Sequence, residues 1–100
     1  MVEGMKEILR LKEMLESENI PFVFFEREEV KGYQIFKTRM GKIIFSVVQH
    51  KYSYGNDVNL LEMWDMSKDD VEGYLSAEDV FERIKKHYEA SYKQVKDGEI

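Results

Sequence analysis

Apolar residues near the start of the chain recur at helical spacing. Their stripe is centred on Ile8, Leu11 and Leu15, and residues three or four apart share one face of a helix. Pro21 has no amide hydrogen and restricts the residue before it to extended backbone, so a helix cannot continue through this position. The pattern therefore predicts a helix over about residues 2–18.

The next part of the chain is rich in aromatic and β-branched residues, which favour strands. Short turn-like segments separate the apolar runs, and Gly32 and Gly41 are available there for positive φ. The third run carries apolar side chains at both odd and even positions, which is typical of a central strand covered on both sides. The spacing predicts an antiparallel meander of four strands, at 21–27, 32–38, 42–50 and 59–64.

The segment "LSAEDVFERIKKHYEASY" carries a helix start. Ser76 can accept a hydrogen bond from the Asp79 amide while Asp79 reaches back to Ser76, a reciprocal arrangement that begins many helices. Just upstream, Ser67, Asp70 and Gly73 are spaced as the cap, partner and stop of a short helical turn. A turn of helix over residues 67–73 and a helix from Ser76 are therefore predicted.

These elements predict one α+β domain over residues 1–100, in the order α-β-β-β-β-α: a four-stranded antiparallel meander flanked by an N-terminal and a C-terminal helix. The chain contains no cysteine, which excludes disulfides, thiolate metal sites and cysteine nucleophiles. Charges interrupt every apolar run near the N-terminus, so neither a signal peptide nor a membrane span is expected there. A cytoplasmic location without membrane attachment is the resulting expectation.

Charge is unevenly distributed along a chain whose formal net charge is −5. Every charged residue over 31–56 is basic, whereas acidic residues outnumber Lys68 by far over 57–79. This division predicts a bipolar surface. The overall acidity argues against extensive binding to phosphate groups.

The stretch "QHKYSYGND" contains the residues best suited to chemistry. His50 could act as a general base or metal ligand, with Asp57 as its partner and Tyr52 or Tyr54 as a proton donor. Tyr is equally an ordinary strand residue, and Gly-Asn-Asp is ordinary turn sequence. No nucleophile or zinc motif accompanies it, and the acidic segment 65–73 lacks the ligand spacing of a calcium loop. The turn interpretation is favoured, and it predicts no enzyme activity, no cofactor and no metal.

The segment "KTRMGK" offers a second class of function. Lys37, Arg39 and Lys42 cluster around one turn, near aromatic residues that could stack on bases. The favoured interpretation is a solvated turn whose charge is balanced by the acidic loop of the same chain. If the chain binds a partner through a bipolar surface, this turn should pair with an acidic protein surface or a neighbouring subunit. Trp64 would be a good interface anchor if it were partly exposed. The candidate binding surface comprises Lys37, Arg39, Lys42, Tyr52, Tyr54 and Trp64.

The runs "SVVQHKYSYGNDVNLLEMW" and "GYLSAEDVFERIKKH" resemble a family of small uncharacterised proteins encoded in phages and prophages of Gram-positive bacteria. The resemblance extends from the "GYQI" strand onward, and the N-terminal helix matches in type. It implies a phage-type accessory or regulatory role and transfers no catalytic residue or cofactor. The predicted function is non-enzymatic binding of a protein of unknown identity, with a homo-oligomer possible. A weak nucleic-acid-binding module is the alternative, and a small hydrolase using His50 ranks below it.

Overall fold

The computed structural model describes residues 5–39, 41–66 and 68–98, with the backbone alone at residue 39 and residues 90–98. Two α-helices lie at the two ends of the chain, and strands occupy the space between them. Short 3₁₀ turns, η1 (Glu28–Val30) and η2 (Asn56–Val58), lie within connections between strands. In chain order, the helices and strands are α1 (Glu7–Ser17), β1 (Val23–Arg27), β2 (Gly32–Arg39), β3 (Lys42–Gln49), β4 (Leu61–Asp65), β5 (Asp70–Leu75) and α2 (Ala77–Gly98).

Within the described residues the strands form one antiparallel sheet of five strands, in the order β1-β2-β3-β4-β5. The predicted meander and the central position of β3 are confirmed. The predicted count of four strands is wrong, because β5 occupies residues 70–75, where a short helical turn was expected. Ser67, the residue predicted to cap that turn, lies outside the described residues.

The sequence pattern did not predict the fifth strand, because several of its residues are poor strand formers. Asp70, Glu72 and Gly73 are all depleted in strands. β5 tolerates them because it is an edge strand, paired on one side with β4 and on the other side with no strand among the described residues. Gly73 does not stop a helix. A Cβ atom built on Gly73 would lie 2.4 Å from the Cβ of Tyr54, so the absence of a side chain lets the loop after β3 pack against this strand.

Both helices lie on the same face of the sheet and contact each other there. The stripe predicted for the first helix is confirmed, since Ile8, Leu11 and Leu15 are completely buried. The sheet contributes buried residues to this core that include Ile35, Val47, Leu61 and Met63. The second helix contributes residues that include Val80 and Ile84. A single hydrophobic core therefore lies between the helices and one side of the sheet.

The predicted start of the second helix is confirmed at atomic level. The Asp79 amide donates to Ser76 Oγ at 3.0 Å, and the Ser76 amide donates to Asp79 Oδ2 at 3.1 Å. Hydrogen bonds that Ser76 makes to the Asp79 carboxyl, its amide first, hold the pKa of this carboxyl below its usual value, because they favour the ionised form. Residues of its own sequence thus cap the start of α2 reciprocally.

Candidate functional site

The face of the sheet opposite the helices carries a set of side chains that are exposed or partly exposed, except for Ser46 at its centre, which is buried. Successive residues of a strand point to opposite faces, and Ile35 and Val47 mark the face covered by the helices. Residues of the other parity point away from the core. We call these residues the open face, which comprises Val23, Phe25, Arg27, Gln34, Phe36, Ser46, Val48, Glu62, Trp64 and Val71.

The open face is organised in two rows that cross the strands. Directly paired residues of antiparallel strands lie side by side on one face. The first row takes one residue from each strand: Val23, Phe36, Ser46, Trp64 and Val71. The second row consists of Phe25, Gln34, Val48 and Glu62.

The open face is largely apolar and remains accessible. Val23, Phe25, Trp64 and Val71 each expose between 41% and 49% of their surface. Phe25 and Phe36 also pack edge to face, with ring centroids 5.6 Å apart. Contiguous apolar patches of this kind mark interaction sites on protein surfaces.

Polar side chains of the open face are ordered by hydrogen bonds. Gln34 Nε2 donates to Ser46 Oγ at 3.0 Å, and Arg27 Nη1 donates to Gln34 Oε1. On the far side of β3, Glu62 Oε1 accepts the Tyr54 amide at 2.8 Å. Arg27 Nε also donates to Glu29 Oε1 at 2.7 Å. The open face therefore carries an Arg27–Glu29 ion pair at β1 and a carboxylate on β4, with apolar side chains and a neutral polar pair between them.

Lys37 lies on the opposite side of the sheet from the open face. Its side chain is only 6% exposed, Nζ donates to the Thr38 carbonyl at 3.0 Å, and the amine lies 5.4 Å from the centroid of the Tyr88 ring. Burial lowers the pKa of this amine, because the charged form loses its hydration. Lys37 thus belongs to the space beneath α2 and is not available to a ligand at the β2–β3 turn.

The structure separates the other members of the predicted surface. Trp64 belongs to the open face, and Tyr54 borders it through its hydrogen bond to Glu62. Tyr52 is 70% exposed and packs its ring against His50. Lys42 is exposed at the start of β3, and the Arg39 side chain lies outside the described part of the chain.

The stretch around His50 is a turn between β3 and β4, as the favoured interpretation predicted. His50 Nδ1 accepts the Tyr52 amide at 3.1 Å, and Ser53 Oγ bonds both the amide and the carbonyl of His50 at 3.0 Å. Each of these contacts shapes the local backbone. Asp57, which the disfavoured catalytic interpretation paired with His50, is exposed in η2.

The same connection fixes the beginning of α1. Asn59 Oδ1 accepts the Glu7 amide and Gln49 Oε1 accepts the Ile8 amide, each at 3.0 Å. Gln49 Nε2 also donates to Asn59 Oδ1 at 2.7 Å, while Asn59 Nδ2 donates to the Met5 carbonyl at 3.1 Å. The first amides of a helix have no partner within the helix, so the β3–β4 connection supplies the cap that the sequence of α1 lacks.

A shallow cleft of about 570 Å³ lies between the β4–β5 hairpin and α2. Arg83 Nη1 bonds Glu72 Oε1 at 2.7 Å across it, which lowers the pKa of the Glu72 carboxyl. The His87 ring packs edge to face on Phe45 at 5.3 Å. The described lining residues include no serine, threonine or cysteine, and in the described part of the chain no three carboxylate or imidazole groups gather closely enough to hold a metal ion.

No family model matches this chain, and neither a curated protein nor a solved structure matches it. Within residues 5–39, 41–66 and 68–98, neither helix combines the length and apolar character needed to cross a bilayer. The fold and the chemistry of the open face are therefore the grounds for a functional proposal.

Sequence reasoning missed most of the open face. It identified Trp64 as an anchor and Phe36 as an aromatic residue near the basic turn, but not Phe25 or Val71, which share their side of the sheet. The alternation within "PFVFFER" and "GYQIFKT" indicates which residues share a face. It does not indicate which face the helices cover, because that depends on contacts between distant parts of the chain.

Proposed function

We propose that this chain is a non-enzymatic protein-binding module that docks its partner on the open face. The observation that supports this proposal most strongly is that apolar side chains remain exposed on one face of the sheet, while the helices pack on the other face and bury its centre. Aromatic residues such as Phe25 and Trp64 are the kind that dominate binding energy at protein interfaces. A phage-type accessory or regulatory role is the biological context that we propose for this binding.

The chemistry of the open face defines the partner surface that fits it. Its centre must be apolar, because the first row presents Val23, Phe36 and Trp64. An acidic group should lie opposite Arg27, and a hydrogen-bond donor or cation opposite Glu62. A protein surface with a flat apolar centre and opposite charges at its two sides meets these requirements.

An affinity capture with matched variants tests the proposal. Phe25→Glu places a charge in the open face at a residue that is 44% exposed, and Val58→Glu makes the same chemical change at a residue that is 56% exposed in η2. We expect wild type and Val58→Glu to retain the same bound protein and Phe25→Glu to lose it. Equal capture by both variants would place the binding surface elsewhere. Circular dichroism and thermal melts would establish that both variants are folded.

Nucleic-acid binding is a second candidate, and one observation favours it. Phe25, Phe36 and Trp64 lie on one open antiparallel sheet face, where aromatic side chains can stack on unpaired bases. The burial of Lys37 and the net charge of −5 favour the protein partner instead. Fluorescence anisotropy with single-stranded oligonucleotides at ~0.1 M salt separates the two candidates. Sub-micromolar binding that Phe25→Glu abolishes would support the nucleic-acid candidate.

A further inference from the structure

We propose that the open face binds the open face of a second copy of this chain, related by a two-fold axis parallel to the strands. This inference rests on the proposed function and names the partner. A two-fold interface uses the same patch on both subunits, so the patch must be complementary to itself. Rotation about this axis places β1 opposite β5 of the second copy, β2 opposite β4, and β3 opposite itself.

The first row of the open face is compatible with this rotation. Its strand order gives Val23, Phe36, Ser46, Trp64 and Val71. The rotation sets each valine against the other valine and Phe36 against Trp64, while Ser46 lies on the axis. A small residue at the axis leaves room for the flanking aromatic rings to interlock between sheets that pack about 10 Å apart.

The charges of the open face are also complementary under the same rotation. Gln34 on β2 and Glu62 on β4 belong to the same row, so the second copy's Glu62 comes to lie over Gln34. The Arg27 guanidinium bonds Gln34 through Nη1 and Glu29 through Nε, so a second carboxylate that lies over Gln34 would share this guanidinium with Glu29. Arg27 and the second copy's Glu62 are therefore brought close together, and two-fold symmetry creates this pair twice.

Variants that exchange the charges at positions 27 and 62 test the arrangement, with the dissociation constant of the dimer measured by analytical ultracentrifugation. Arg27→Glu sets two carboxylates against each other, and Glu62→Arg sets two guanidinium groups against each other. We expect each variant to raise the dissociation constant of the dimer by about tenfold or more. The double variant restores both pairs with their signs reversed, and we expect its dissociation constant to return close to that of wild type. Lys86→Glu, at an exposed position on α2, is the control and should leave the constant unchanged.

Each outcome of this experiment decides the inference. A wild-type chain that stays monomeric up to about 1 mM would overturn it, since the interface would then be weaker than about 4 kcal/mol. A dimer that Arg27→Glu and Glu62→Arg leave intact, or that the double variant fails to restore, would also overturn it. In any of these cases, capture of a different protein that Phe25→Glu abolishes would leave the proposed function standing with another partner.

Discussion

Glu7 Oε2 accepts the amide of Ala77 at 2.6 Å, so a side chain from the first turn of α1 caps the first turn of α2. The other carboxylate oxygen of Glu7 accepts Arg10 Nη1 at 2.7 Å, and Arg10 also pairs with Glu78. The two helix starts are thus joined through one buried carboxylate. This junction holds both helices on one side of the sheet and leaves the other side open.

Removal of this carboxylate should destabilise the fold. In Glu7→Ala the buried Ala77 amide loses its acceptor, and we expect the free energy of unfolding to fall by about 1–3 kcal/mol. Glu7→Gln keeps one acceptor oxygen and should lose less. Urea denaturation at neutral pH measures both variants, and an unchanged midpoint for Glu7→Ala would show that water replaces the carboxylate without cost.

Two contributions of Asn59 can be measured separately: its side-chain cap on α1 and the strain of its positive φ. Asn59 has a positive φ of 58° and bonds the Glu7 amide through Oδ1. Asn59→Gly removes the cap but tolerates this φ, whereas Asn59→Ala removes the cap and adds strain. We expect a loss of about 0.5–2 kcal/mol for Asn59→Gly and a larger loss for Asn59→Ala. Thermal melts that rank the two variants in the opposite order would contradict this account.

The hydroxyl of Ser76 should contribute measurably to stability. Ser76→Ala removes the acceptor of the Asp79 amide, and the expected cost is about 1 kcal/mol. Ser76→Thr retains an acceptor at this position and serves as the control. Indistinguishable chemical denaturation curves for Ser76→Ala and wild type would show that the cap is energetically replaced.

Protonation of the Asp79 carboxyl at low pH should weaken the cap that it forms with Ser76. The pKa of this carboxyl is lowered in the folded state by its bond from the Ser76 amide, so its stabilising effect is complete above the unfolded pKa and disappears as pH falls through the folded pKa. Asp79→Asn removes this titration. We therefore expect the drop in urea midpoint between about pH 5 and pH 2 to be smaller in Asp79→Asn than in wild type. An identical drop in both proteins would assign acid sensitivity to other carboxyls.

Gly32 and Gly41, both predicted from the sequence to lie in turns with positive φ, have different roles. Gly41 adopts a φ of +80° in the β2–β3 turn, as predicted, with nothing within 4 Å of a built Cβ. The positive φ before β2 belongs to Lys31 instead, and a Cβ on Gly32 would lie 2.2 Å from the Gln49 carbonyl oxygen. We expect Gly41→Ala to cost about 1–2 kcal/mol and Gly32→Ala to cost more, because there the backbone itself must move. Expression yield and melting temperature of the pair provide the comparison.

The parts of the fold that the sequence predicted are those determined by neighbouring residues. The stripe of α1, the Ser76–Asp79 pair and the turn at Gly41 each follow from residues a few positions apart. The strand β5 was missed because its stability comes from pairing with β4, which outweighs the weak strand preference of residues 70–73.

The candidate site was less predictable for a related reason. Lys37 and Phe36 are adjacent in sequence, yet one lies beneath the helices and the other on the open face. Of the two lysines near the β2–β3 turn with described side chains, Lys42 is exposed at the turn and Lys37 is buried beneath α2. Where α1 and α2 pack decides which face of the sheet remains open. Contacts between distant residues contribute to that packing, and the one between Glu7 and Ala77 spans most of the chain.

Site-specific photo-crosslinking in cells tests most directly whether the open face is the binding surface. A benzoylphenylalanine at position 25 probes the open face, and the same group at position 58 probes a somewhat more exposed site on η2. Irradiation followed by mass spectrometry identifies what lies against each probe. We expect a discrete protein adduct from position 25, of doubled mass if the partner is a second copy, and none from position 58. Adducts that form at position 58 while position 25 gives none, or adducts to nucleic acid alone, would contradict the account.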